Sequence, residues 1–464
     1  MTALALAALL FQTAAPPPVA ITDVAVVVPE LDTILPGRTV LIENGRIRSI
    51  APAAPAPTGA RRIDGRGRFL IPGLWDMHVH VRHPSAPEVL FPQFVANGVT
   101  GVRDMASACD HEPREGEACA AELQQWARRI DAGELVGPRL LALASFPLNP
   151  PWNRAVTETE VRGVVRTMKE RGLDYIKVYY RLTPEAFGWV MDEAKAVGIA
   201  VGGHIPIRMS AAEASNAGLR SLEHARDFMF DCFPGSAEFR RTTRTQNPSP
   251  DVMRAMVEEH DPALCDRLFA TMTKNQTWYV PTLVTRRMDA FADDSAFRDD
   301  PRQRFIPAAA WRAWNQDADR MVALDSTPAG REMVRRFYRM SAALVVKARA
   351  AGVPVVVGTD AGDSFVFPGS SVQDELGELV KAGLTPAEAL SAATSISARF
   401  LGREADYGSV APGKVADLVL LRADPLADVA NVGAIEGVIF GGRYYDRSEL
   451  DAMLATVARA VAER

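Results

Sequence analysis

The chain has 464 residues, 48% of them hydrophobic and 23% charged, the balance of a globular protein with room for about three domains, or one barrel and a satellite. The net charge is −5 and no basic stripe is present, which argues against nucleic acid as a partner. Beyond the N-terminus no apolar stretch is long enough for a membrane helix.

Residues 3–11 form an apolar run, followed by Gln12, Thr13, Ala14, Ala15 and three prolines. The run suits the core of a secretory signal peptide and is too short to span a bilayer, and Thr13 and Ala15 offer small residues before a cleavage point. Against this, no Lys or Arg precedes the run, and proline follows the cut. With no cysteine nearby, a lipid-anchored start is not expected. Residues 1–20 are therefore read as a signal peptide and the protein as periplasmic or secreted, with a cytoplasmic location as the alternative. Four cysteines, Cys109, Cys119, Cys232 and Cys265, lack metal-site spacing. In an oxidising compartment they can form two disulfides, Cys109 with Cys119 being the first choice; free thiols are the alternative.

Residues 21–70 read as β-structure. Ile21 to Val28 is rich in β-branched residues, and Asn44-Gly45 supplies the positive-φ turn of a hairpin between two apolar runs. Residues 408–447 read the same way, and 448–464 as a closing helix. Neither β-region has enough apolar surface to fold alone, so both chain ends are expected to pack together as one small β-sandwich.

Between them, over 71–407, strands alternate with helices, the pattern of a parallel α/β fold. Eight candidate strands cover 73–80, 99–105, 139–144, 175–179, 200–205, 221–225, 278–283 and 354–360. The helix over 184–197 is opened by Thr183 as a cap with Pro184 in its first turn. Eight parallel strands suggest a barrel with its site at their C-terminal ends. Two long insertions, 232–275 and 284–351, read as helical.

Side chains two apart on a strand share a face, so His78 and His80 aim two imidazoles at one point. Alone, such a pair is more often solvated than bound to metal. The other strand ends carry Lys177, His204, His224 and Asp360, so six ligand-type side chains from five strand ends should face one mouth. A single histidine at a strand end is usually structural; the joint placement points to a metal site. Only seven of the 52 basic residues are lysine. Lys177 shares a face with Tyr175 and Tyr179, opposite Ile176 and Val178. On an inner face a bare ammonium is costly, so it must be paired, neutral or chemically altered. A carbamate would be anionic and able to bridge two metals; the alternative is a rim lysine bonded to a carboxylate.

The run Ile71-Pro-Gly-Leu-Trp-Asp-Met-His-Val-His80, with Ile176-Lys177-Val178, Gly203-His204, Glu223-His224, Gly358-Thr-Asp360, Ala389-Leu-Ser-Ala-Ala-Thr394 and Gly413-Lys-Val-Ala-Asp-Leu-Val-Leu-Leu421, resembles the amidohydrolase superfamily near its imidazolonepropionase-like and prolidase-like branch. The resemblance runs from about residue 21 to the end. It implies a distorted (β/α)8 TIM barrel with a β-sandwich and a site for two divalent metal ions, zinc first among them. His78, His80 and Asp360 would hold the first, His204 and His224 the second, and carboxylated Lys177 would bridge them. Single-metal relatives lack the bridging lysine, so Lys177 favours the two-metal branch.

By the same resemblance the protein is a hydrolase that uses metal-activated hydroxide on an amide carbonyl, with Asp360 moving the proton. A dipeptidase of Xaa-Pro type or an N-acyl amino acid hydrolase is the leading reading. Arg181 and Arg226, with Tyr179 or Tyr180, are candidates for gripping a substrate carboxylate; a surface arginine or a packed tyrosine is the plainer account of each. Asp76 and Glu223 are candidates for fixing histidine tautomers. His83 and His111 lie in loops as bystanders. A cyclic-amide or lactone hydrolase or a deaminase is the rival enzyme, and a silent binding or scaffold relative the rival outside enzymes. The expected partner is a small molecule or dipeptide, and a homo-oligomer is compatible with the sequence.

Overall fold

The computed structural model describes residues 17–52, 54–110, 118–151 and 153–463. Most of the expected signal peptide, and His111, lie outside them.

Strands from both chain ends share one eight-stranded mixed sheet. Its early members are β1 (Val19–Val28), β2 (Thr33–Glu43), β3 (Arg46–Pro52), β4 (Arg61–Asp64) and β5 (Phe69–Pro72). Asn44 and Gly45 turn the β2–β3 hairpin with φ of 51° and 73°, as the sequence predicts. Val19 and Ala20 are buried and pair with Ile42 and Leu41, so the sheet takes up the last two residues of the stretch read as a leader.

Seven parallel strands follow: β6 (Leu74–Val79), β7 (Val99–Asp104), β8 (Arg139–Leu143), β9 (Tyr175–Val178), β10 (Ala200–Gly203), β11 (Ser221–Glu223) and β12 (Trp278–Val280). They form sheets of order β6-β7-β8 and β9-β10-β11-β12. Isolated parallel bridges join Ala144 to Tyr175, Tyr279 to Val355 and Ala361 to Val79. The expected eighth strand, 354–360, is thus held by single bridges and has no regular ladder. The segment nonetheless lies tightly against its neighbours: a Cβ at Gly358 would lie 2.4 Å from Val280 Cγ1 and 3.0 Å from His78 Cβ.

The parallel strands are buried on both faces. Ile176, Val178, Val201, Leu222 and Val357 pack in the cluster that includes the helices' Val165, Phe187 and Leu376. Trp75, Met77, Leu141, Tyr175, Trp278, Val280 and Val356 gather in a second cluster with Phe400. Lys177 follows Tyr175 in the alternation, opposite Ile176 and Val178. The helix Pro184–Val197 begins as read, with Thr183 Oγ1 accepting from Ala186 N–H. The insertions are helical, Ala308–Leu324 and Pro328–Ala350 being the longest pieces. No helix among the described residues is long and apolar enough to cross a membrane.

The chain returns through β13 (Leu418–Leu421), β14 (Ile435–Phe440) and β15 (Arg443–Asp446), then the helix Arg447–Ala462. β13 pairs antiparallel with β5, joining the two ends. Val24, Val40 and Ile47 from one end and Leu418, Leu420 and Ile439 from the other fill one apolar cluster, which neither end could close alone. Cys109 is bonded to Cys119 and Cys232 to Cys265.

Candidate metal centre

The polar strand ends converge. His78 is the penultimate residue of β6, and His80 lies just past the strand. Donor atoms of His78, His224 and Asp360 all lie within 4.8 Å of one another, close enough to hold one ion. His78 Nε2 stands 3.0 Å from Lys177 Nζ and 3.4 Å from Asp360 Oδ1, while His80 Nε2 is 2.9 Å from the same Asp360 oxygen. His204 Nε2 faces His224 Nε2 at 3.0 Å. All six residues singled out in the sequence therefore meet in one place.

The local chain is bent to achieve this. His224 and Asp360, neither of them glycine, have φ of 74° and 63°, an unfavourable conformation that persists only where surrounding contacts fix it. At Gly203 φ is 137° and a Cβ would lie 2.3 Å from Val178 O, so only glycine brings the chain this close to β9 just before His204.

Two of the four rings are braced by a buried side chain. His78 Nδ1 lies 2.9 Å from Glu223 Oε2, and His224 Nδ1 lies 2.8 Å from Thr282 Oγ1. Glu223 in turn accepts two 2.9 Å bonds from Arg103 Nη2 and one of 2.6 Å from Ser221. Arg103 also donates to Met77 O at 2.6 Å and lies over the Tyr175 and Phe400 rings. Glu223 thus does touch a histidine ring, as the sequence allowed. Asp76 works on the backbone instead: it accepts from His78 N–H, Thr359 N–H and the Thr359 hydroxyl, tying β6 to the 354–361 segment.

Burial dominates the electrostatics. It pushes His78 down to about 4, aided by the nearby Lys177 charge and opposed by Asp360 and Glu223. His204 and His224 are held well below the usual imidazole range, first by burial. Burial also lowers Lys177. Burial alone would raise Glu223, but the charge of Arg103 and the bond from His78 hold it at about 2. His78, His204 and His224 are thus held neutral, with the Glu223 carboxylate behind His78 and the Asp360 carboxylate, which burial would raise but the nearby histidines lower, among them. Two neutral rings facing each other through Nε2, one with Nδ1 turned to a hydroxyl, present lone pairs to a common point. That donor set fits a divalent transition-metal ion.

The substrate-side candidates sit differently. Tyr179 stacks near His204, with ring centroids 4.0 Å apart, and Tyr180 is half-buried beside it at 5.3 Å. Arg226 is 4% exposed, donates to Asn247 Oδ1, and its Nε has no hydrogen-bond partner. Its charge reaches both Tyr179 and His204. Arg181 is spent on the chain itself: its Nε and Nη2 bond Asn149 Oδ1 and Asn149 O at 2.9 and 3.0 Å. His83 is engaged by Ser85. Arg103, Ser221 and Thr282 were not singled out from sequence. The one signal for Arg103 was a lone arginine inside an apolar strand.

A family model described as the amidohydrolase family matches residues 339–444. Among curated proteins, a dihydroorotase of Geobacter sulfurreducens is 38% identical over 68 residues, a stretch covering 15% of this chain and 15% of that protein's length. Among solved structures, bottromycin amidohydrolase superposes with a TM-score of 0.73 at 22% identity, covering 96% of this chain and 90% of that one. A Xaa-Pro dipeptidase with bound methionine in its active site gives 0.65 at 21% identity, covering 92% of this chain and 100% of that one. The resemblance to the amidohydrolase superfamily read from the strand-end motifs is borne out, in sequence over residues 339–444 and in fold over nearly the whole chain.

Proposed function

We propose that the protein is a metal-dependent hydrolase of C–N amide bonds, acting on dipeptides of Xaa-Pro type or on N-acyl amino acids. The observation that carries this reading is the convergence of His78, His224 and Asp360, with His80, Lys177 and His204 in contact with them. The bridges joining the two parallel sheets to one another and to the 354–361 segment support a distorted (β/α)8 barrel over 71–407. The joint sheet supports a β-sandwich built from 21–70 and 408–447.

His78, His80 and Asp360 would hold one ion and His204 and His224 a second, zinc being the first candidate for both. Lys177, as a carbamate, would lie between them. Bound divalent ions supply water acidified to near-neutral pKa and Lewis-acid polarisation of the substrate carbonyl. Glu223 takes the Nδ1 proton of His78 as a hydrogen bond, which leaves Nε2 as the donor atom. Asp360, at the segment end facing His80, accepts the proton of the attacking water and delivers it to the leaving nitrogen. Arg226, buried beside Tyr179 with its Nε 3.8 Å from Asp227 Oδ1 and without a hydrogen-bond partner, would receive the substrate carboxylate.

A second reading, hydrolysis of a cyclic amide, is favoured by the short dihydroorotase match. The discriminating experiment is a hydrolysis panel on metal-reconstituted full-length protein: dipeptides, N-acyl amino acids and cyclic amides. Turnover confined to cyclic amides would replace the first reading with the second. We further propose residence in an oxidising compartment, supported by the pairing of all four cysteines. N-terminal sequencing of the exported protein should start between about residues 14 and 24, and a cytoplasmic protein retaining Met1 would refute export.

A further inference from the structure

Thr282 is the partner of His224 Nδ1, and its backbone is unusual. Its φ is 45°, a left-handed conformation that β-branched residues avoid. It is fully buried, and nothing in its own side chain favours that conformation. The restraint comes from the two amides that follow. Leu283 N–H donates to Glu375 Oε1 and Val284 N–H to Glu375 Oε2, both at 2.9 Å. Glu375 has no exposed surface and comes from the helix Ser370–Ala382, distant in sequence. Its carboxyl group thus takes both amides of the first turn of the helix Leu283–Phe291; burial pushes it up to about 8, and these two bonds act the other way. Within that turn, Thr285 N–H and Oγ1 both close onto Thr282 O. The hydroxyl of Thr282 is left aimed at His224 Nδ1, which also lies 3.7 Å from Asp360 Oδ2, while His224 Nε2 points toward His204.

We propose that Glu375 is a positioning residue of the metal centre: by clamping the Leu283 and Val284 amides it fixes the Thr282 turn, and through it the tautomer and orientation of His224. This rests on the reading of His224 as a ligand. Glu375 touches no ligand itself, and its effect passes wholly through Thr282. A carboxamide at this position has one acceptor oxygen and sets an NH2 group against a backbone N–H, so Glu375→Gln undoes the clamp at nearly constant volume.

The test is cobalt(II) titration of the full-length protein, read by its visible absorption bands and by the dissociation constant. Glu375→Gln should weaken cobalt binding about 10- to 100-fold, the usual scale for groups that orient a ligand, and shift the bands. Thr282→Val should do the same, Thr282→Ser should restore binding, and the double variant Glu375→Gln/Thr282→Val should be no worse than the weaker single variant. Glu378→Gln, one turn along the same helix and engaged with Tyr338 and Lys381, should leave the spectrum unchanged. Where the glutamine variant does not fold, Glu375→Asp keeps the carboxyl group, withdraws it by one methylene and should shift the bands in the same direction. Wild-type binding and bands in Glu375→Gln and Glu375→Asp, or effects of Glu375 and Thr282 that multiply, would overturn the positioning role alone. A wild-type protein that takes up no cobalt would overturn the reading of the site and this role with it.

Discussion

The floor and the mouth of the site are built on different terms. On the floor, His78, Lys177, His224 and Glu223 are 0–3% exposed, and both histidine rings have a fixed partner behind them. At the mouth, Tyr179, Tyr180 and Arg181 are half-buried, the His80 side chain is 32% exposed, and Arg181 bonds a neighbouring loop. His78 and His224 are thus held by fixed partners, whereas the surface that would choose a substrate rests on few constraints. Substitutions on the floor and at His80 should change metal binding and turnover, and those at Tyr179, Tyr180 and Arg181 should change KM alone.

The largest effect is expected at Asp360. Asp360→Asn should retain bound metal and lose about 10³-fold in kcat, within the usual range for a lost proton-transfer group; near-normal turnover in a stopped assay would remove it from that role. Next comes the brace behind His78. Glu223→Gln weakens the acceptor for His78 Nδ1 and leaves Arg103 without its buried counter-charge. We expect metal affinity to fall about 10- to 100-fold and stability by about 3–5 kcal/mol in urea unfolding. Unchanged affinity would mean that Glu223 braces only the strands.

At the mouth, Arg226→Met should raise KM for carboxylate-bearing substrates by about 10- to 100-fold, roughly 1.5–3 kcal/mol, with kcat little changed. An equal loss on substrates lacking a carboxylate would break that assignment. Arg181→Ala should be the mildest, within about threefold in KM, because its guanidinium already serves Asn149. A loss as large as that of Arg226 would make it part of the grip and narrow the difference between the two regions.

Legibility in the sequence followed the same division. The six ligand-type residues sat at strand ends that periodicity and short motifs marked, and the structure brings them together. What fixes them was mostly hidden, because those contacts are made between residues far apart in sequence. Glu223 and Arg103 are 120 residues apart, and Glu375 reaches an amide 92 residues away. No local pattern encodes such pairs. The alternation of apolar and polar residues identified the sheet of both chain ends, and Asn44-Gly45 fixed one of its turns. The strand read over 354–360 is held only by single bridges at Val355 and Ala361, and the chain turns left-handed at Asp360. Arg181 reads in sequence as a carboxylate grip or a surface arginine, and nothing there places Asn149 beside it.

The central claim, two ions held by five strand-end residues and bridged through Lys177, is tested most directly by counting metal. Elemental analysis of the active full-length protein should find about two divalent ions per chain, falling to about one in Lys177→Ala. A fully active protein with a single ion, or a count unchanged in Lys177→Ala, would contradict it.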